Sequence, residues 1–187
     1  MRMTAPPAIA FTLTILVHAA PALATVYLPA DFAEMVDASI YIVHGSVADV
    51  RSEAIADRRS IVTYVTVDVT QQLKGSLRES LTFVVPGGQV GHYERIVVGA
   101  PRFEPGDEVV LFLTARGPTV PYLFGLSQGV YRVSRATGRA LVTPPAVLAR
   151  EADGAASGRV VRGDPARRPL GLDEFARHVR AAMERRK

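Results

Sequence analysis

The 187-residue chain contains no cysteine and no tryptophan, and only 7% of its residues are aromatic. Without cysteine there is no disulfide to staple a small fold, no thiolate to attack a substrate and no sulfur ligand for a metal. Stability has to come from burial and strand pairing. Few aromatics and no tryptophan leave little with which to stack nucleic-acid bases. Beyond the N-terminus, no apolar run approaches the roughly 20 residues that a helix needs to cross a bilayer.

The formal charge of +4 is unevenly spread. Residues 25–149 hold 11 Lys and Arg against 12 Asp and Glu, whereas residues 150–187 hold 10 against 6. A nucleic-acid binder carries its basic stripe on the folded face. Here the body is near neutral and the excess lies in the tail, so the arginines read as a solvated surface and no nucleic-acid partner is expected.

What is present begins with MRMTAPPAIAFTLTILVHAAPALA. Arg2, the apolar stretch from Ala8 to Ala20 and the closing Ala22-Leu23-Ala24 have the order of a secretory signal peptide with a small-x-small cleavage site. The expectation is a cleaved signal over residues 1–24, a periplasmic or extracellular protein starting at Thr25, and no membrane span after cleavage. Removing it leaves 163 residues, which suits one domain with a real core.

Phe32, Met35 and Val36 share one face of a short helix by their i, i+3, i+4 spacing. The segment from Ser39 to Val50 is rich in β-branched residues and carries Gly45 in its middle, which marks a bulge or sharp bend. From Ile61 to Gly75 the pattern alternates, with Ile61, Val65, Val67 and Val69 on one side, as in a half-buried antiparallel strand. Leu81 to Pro86 alternates again. Glu108 to Leu113 is nearly continuous apolar sequence, introduced by a Pro105-Gly106-Asp107 turn. Tyr122 to Leu126, Val130 to Val133 and Ala140 to Thr143 add further short strands, a pattern of sandwiches and small barrels. The domain is therefore read as residues 25–149, followed by an Ala-, Gly-, Arg- and Pro-rich linker over residues 150–170. A C-terminal helix follows over residues 171–187, with Phe175, Val179 and Met183 as its docking stripe and Arg185, Arg186 and Lys187 in its last turn.

Four segments in order, DASIYIVHGSVADV, VTYVTVDVTQQLKGSL, LTFVVPGG and FEPGDEVVLFL, resemble a group of exported bacterial proteins of unassigned function. The same strand order resembles the netrin-like module, an OB-type five-stranded barrel whose members include tissue inhibitors of metalloproteases. The likeness covers about residues 33–133. It implies a mainly β, OB-like antiparallel barrel with a helix at each end. Those inhibitors present an N-terminal cysteine to the protease metal, and this chain has none, so that mechanism does not carry over.

Three chemistries are weighed, beginning with the stretch from Val85 to Leu113. Gly87, Gly88 and Gly91 do not form a phosphate cradle, because no lysine follows and the next element is a strand where a P-loop needs a helix. They are read as turn or bulge glycines at the rim of a barrel. His92 and Glu94 lie two apart, on one face of a strand, but a catalytic zinc needs a third protein ligand and none is identifiable. His44 is read as bonded to a neighbouring strand and His178 as solvated. Ser127 in GLSQG matches the G-x-S-x-G elbow in place but not in context, since a strand signal follows it. The expected role is a non-catalytic binding or inhibitory module for an unknown protein or cell-envelope ligand, without a cofactor. Its surface is the loop from Pro86 to Phe103, with Gly87, Gly88, Gly91, His92, Glu94 and Arg102 as contact residues. The alternatives are a secreted hydrolase using Ser127 or His92 with Glu94, and a metal-binding protein.

Overall fold

A computed structural model describes residues 30–55, 60–115, 120–136, 138–145 and 168–185. The expected signal peptide and most of the expected linker lie outside these residues. The described chain is mainly β, with two helices.

Helix α1 spans Phe32–Ala38. Its start is set by the Asp31 side chain, which accepts from the Ala33 amide at 3.2 Å, satisfying one of the unpaired donors of the first turn. Its other end meets Lys74, whose ammonium donates to the carbonyls of Val36 and Asp37, placing a cation where the helix dipole is negative. The adjacent Gly75 has φ +82°, and a Cβ there would come within 2.6 Å of the Ile40 carbonyl oxygen. The Leu73-Lys74-Gly75 segment thus closes the end of α1.

Strand β1 is Tyr41–Ile55, β2 is Ser60–Lys74 and β3 is Ser80–Pro86. They pair antiparallel in sequence. The expected irregularity at Gly45 is present: the β1–β2 register shifts between His44 and Gly45, and a Cβ on Gly45 would sit 2.2 Å from the Asp68 carbonyl oxygen. A two-stranded hairpin follows, β4 (Gly88–Val90) with β5 (Tyr93–Arg95), and then β6 (Glu108–Thr114). Strand β7 (Tyr122–Leu123) leads through a 3-10 turn, Leu126–Gly129, into β8 (Val130–Ala136) and β9 (Arg139–Thr143). Strand β10 (Leu170–Gly171) then runs straight into helix α2 (Leu172–Glu184).

The large sheet has the order β1-β2-β3-β7-β6-β8-β9-β10, with a further pairing between β1 and β6. The β3–β7 pair is parallel. Strand β6 is central, paired with β1 along one side and with β7 and β8 along the other. This position accounts for its unbroken apolar run, because a strand covered on both faces has no polar side to show. On one face Val109, Leu111 and Leu113 join Val43, Val47, Val65, Val67, Phe83 and Leu123. On the other, Val110 and Phe112 join Ile42, Tyr131 and Val133 beneath the two helices. The sheet is not a clean barrel, since β8, β9 and β10 extend past the strands that β1 and β6 join.

The helices meet over an aromatic group. Phe32 packs edge-on against Phe112 and Phe175, and Tyr131 lies 5.0 Å from Phe175 between ring centroids. Phe175 and Val179 are fully covered, so the expected docking stripe lies on the molecule's own sheet. Two details differ from the sequence reading. The helix ends at Glu184, and Arg185 serves as its cap instead of lying in the last turn. Leu170, the last residue of the expected linker, is buried and pairs with Val142, because its apolar side chain completes the core beside α2.

Candidate functional site

The segment between β3 and β6 leaves the sheet after Pro86, buries Phe103 and rejoins the sheet at Glu108. Gly87, Gly88 and Gly91 all have positive φ, at +92°, +135° and +59°. At Gly88 the backbone crosses the β1–β2 ribbon so closely that a Cβ would lie 2.3 Å from Thr63 Oγ1 and 2.4 Å from Ser52 Oγ. Those hydroxyls bond to each other at 2.9 Å, and Thr63 donates to the Gly87 carbonyl at 2.8 Å. Gly91 and His92 form the two-residue connection between the paired Val90 and Tyr93. Positive φ at the first central position only is the II′ hairpin turn, whose twist suits the flanking strands. The expected turn glycines are therefore turn and close-approach glycines, and the loop contains a hairpin that the sequence pattern did not announce.

His92 is exposed at the turn, and its ring makes no hydrogen bond among the described residues. Glu94 and Arg102 are joined across the loop by an ion pair of 3.0 Å, both side chains facing water. An exposed pair of this kind is worth at most about 1 kcal/mol. Phe103 turns inward and packs edge-on against Phe83, 5.5 Å between centroids.

The most prominent feature is apolar. Tyr93 is 63% exposed, Ile96 72% and Val98 93%. Three large apolar side chains within six residues stand on one lip, beside His92, Glu94 and Arg102. Sequence reasoning singled out the polar neighbours and passed over these three. The signal was legible in YERIVV: an apolar group after a turn, continued by neither an alternating nor a helical period.

Residues from the turn before β8 and from β8 itself also hold the lip. The Ser127 amide donates to the Gly99 carbonyl at 3.1 Å. Arg132 of β8 donates through Nη1 to the Asp107 carboxylate and through Nη2 to the Arg102 carbonyl, and its guanidinium lies 5.2 Å from the centre of the Phe103 ring. Asp107 also accepts from the Glu104 amide at 2.9 Å.

The hydrolase and metal alternatives find no assembled site. The turn at Ser127 leads into β8 rather than into a helix, and no hydrogen bond joins the Ser127 hydroxyl to His92 or Glu94 among the described residues. No group of three His, Asp or Glu side chains there is arranged to hold a metal.

A second polar cluster lies at the edge of the helix-covered face. His44 is buried at 2% exposure, and its Nε2 is 2.8 Å from Glu108 Oε1 on β6, the cross-strand bond expected of it. Arg135 binds Glu108 through both Nε and Nη2, at 2.8 and 2.7 Å. The Arg135 hydrogen bond is the main reason that the Glu108 carboxyl titrates below its ordinary value; His44 adds to it, and partial burial opposes it without reversing it. Nδ1 of His44 is buried with no partner. Nδ1 of His178 is also buried without a partner, although the residue as a whole is half-buried on α2, so the ring expected to be solvated is only partly so.

No protein-family model, curated protein or solved structure matches this chain.

Proposed function

We propose that the protein is an exported, non-catalytic binding module that engages its partner through the lip from Pro86 to Phe103. The observation that carries this reading is the exposure of Tyr93, Ile96 and Val98 on one short segment. Isolated exposed apolar residues are ordinary, but neighbouring ones on a loop held by a rigid sheet mark an interaction surface. His92, Glu94 and Arg102 rim this apolar group and supply directional contacts.

The scaffold in this reading is an OB-like, netrin-like barrel. Support comes from the pairings, which run from β1 through β2, β3, β7 and β6 and back to β1, as a five-stranded OB barrel requires. Export rests on the signal-like residues 1–24, and the partner is then a protein or envelope component met outside the cytoplasm.

Affinity capture from the native exported fraction tests the function. Wild type should retain a specific species that an Ile96→Asp, Val98→Asp double variant loses while keeping the wild-type unfolding midpoint. Equal capture by the folded double variant would remove the lip from the interface. Labelling of Ser127 by a serine-reactive phosphonate would replace the binding reading with a hydrolase.

A further inference from the structure

The segment from Ile96 to Asp107 belongs to no strand, yet it is fastened at two places by residues of the β7–β8 region. At the crest, the Ser127 amide holds the Gly99 carbonyl, and Leu126 lies over Gly99, with Cδ1 3.6 Å from where a Cβ would be. Leu126 has φ +54° and is the one residue other than glycine with positive φ among the described residues. A left-handed conformation is costly for a side chain such as leucine, and backbone strain of this kind persists only where the surroundings hold it. At the base, the Arg132 guanidinium takes the Arg102 carbonyl, the Asp107 carboxylate and the Phe103 ring together. A loop carbonyl at the surface has water as its ordinary partner, so an arginine that spans 30 residues of sequence to reach one is restraining the chain.

We infer that Leu126, Ser127 and Arg132 form a two-point clamp that holds the lip in its binding conformation before any partner arrives. The inference rests on the lip being the binding surface. It assigns the GLSQG segment a positioning role: its strained turn carries the amide that fixes Gly99. Ordering the lip in advance removes the entropy cost that a partner would otherwise meet on binding. Clamp residues thus set affinity without touching the partner.

Backbone ¹⁵N relaxation of the free protein tests this without a partner. In wild type, Val98 to Arg102 should show order parameters near the rigid value of about 0.85. Arg132→Ala should lower them toward about 0.6 at Arg102 and its neighbours. Arg132→Lys, which keeps a positive charge beside Asp107 but lacks the second nitrogen of the fork that reaches the Arg102 carbonyl, should fall between. Leu126→Asn, which tolerates the left-handed backbone but uncovers Gly99, should loosen Val98 to Ala100 while β2 and β6 stay rigid. A lip already mobile in wild type, or one unchanged in all three variants, overturns the clamp. So does loosening spread evenly through β2 and β6, which would make these residues general supports of the fold. Should the clamp hold while the Ile96→Asp, Val98→Asp variant captures as wild type does, the binding reading fails and the clamp remains as a property of the loop.

Discussion

Replacing Gly88 by alanine should be among the most damaging single-methyl changes in this protein, and the structure sets its size by contrast with Gly91. At φ +135° Gly88 occupies a region that residues with a Cβ rarely enter, which costs about 1–3 kcal/mol. The new methyl also arrives 2.3 Å from Thr63 Oγ1 and 2.4 Å from Ser52 Oγ. Either the hydroxyls move, which breaks the Ser52–Thr63–Gly87 chain of hydrogen bonds, or β4 lifts off the ribbon. Overpacking of this kind costs a further ~1–3 kcal/mol. The smaller freedom of the unfolded chain returns about 0.4–1 kcal/mol. The net loss is about 1–6 kcal/mol, against a total stability of roughly 5–15 kcal/mol for a domain. At Gly91, by contrast, a Cβ meets nothing within 4 Å at φ +59°, so Gly91→Ala meets only the left-handed cost of about 1–2 kcal/mol less the same unfolded-chain return, a net of about 1 kcal/mol. Urea denaturation of both variants, with slopes equal to wild type, measures the difference. Equal losses, or a Gly88→Ala variant as stable as wild type, would refute the close approach of β4 to β1 and β2.

Glu108→Gln should destabilise the protein at neutral pH in a way that fades in acid. A carboxyl that titrates below its ordinary value of 4.5 in the folded state contributes stability that is present above the unfolded value and lost as pH falls through the folded one. Paired unfolding curves between pH 7 and pH 3 should converge toward the acid end, and a constant gap would show that the Arg135 and His44 contacts do not favour the charged form. His92→Ala and Glu94→Ala should each leave stability within about 0.5 kcal/mol by urea denaturation, since both side chains face water; a larger loss at either would mean that the lip is supported from its outer side. Protein recovered from the exported fraction should begin at Thr25 by N-terminal sequencing, the residue after the small-x-small site, and Met1 retained on membrane-bound material would refute cleavage.

Local elements of the fold were legible in the sequence because burial leaves a period in the chain. Ile61, Val65 and Val67 alternate because one face of β2 is covered, and Phe32, Met35 and Val36 share a helix face because α1 lies on the sheet. The glycine bend in β1, the turns before β6 and at Gly91, and the docking stripe of α2 follow from the same local rules. Residues 1–29 and 146–167 lie outside the described residues, and the signal and linker readings rest on the sequence alone. The relations between distant segments were decided by the tertiary structure. The parallel contact of β3 with β7 joins Val84 to Tyr122, and Arg132 fastens a carbonyl 30 residues away. Neither leaves a local signal, since neither pairing alters the period of the segments that make it. The exposure of Tyr93, Ile96 and Val98 was hidden for a related reason. An apolar residue has the same letter whether the fold covers it or leaves it in water, and only the course of the chain around Gly87 and Gly88 determines which side of the lip faces out.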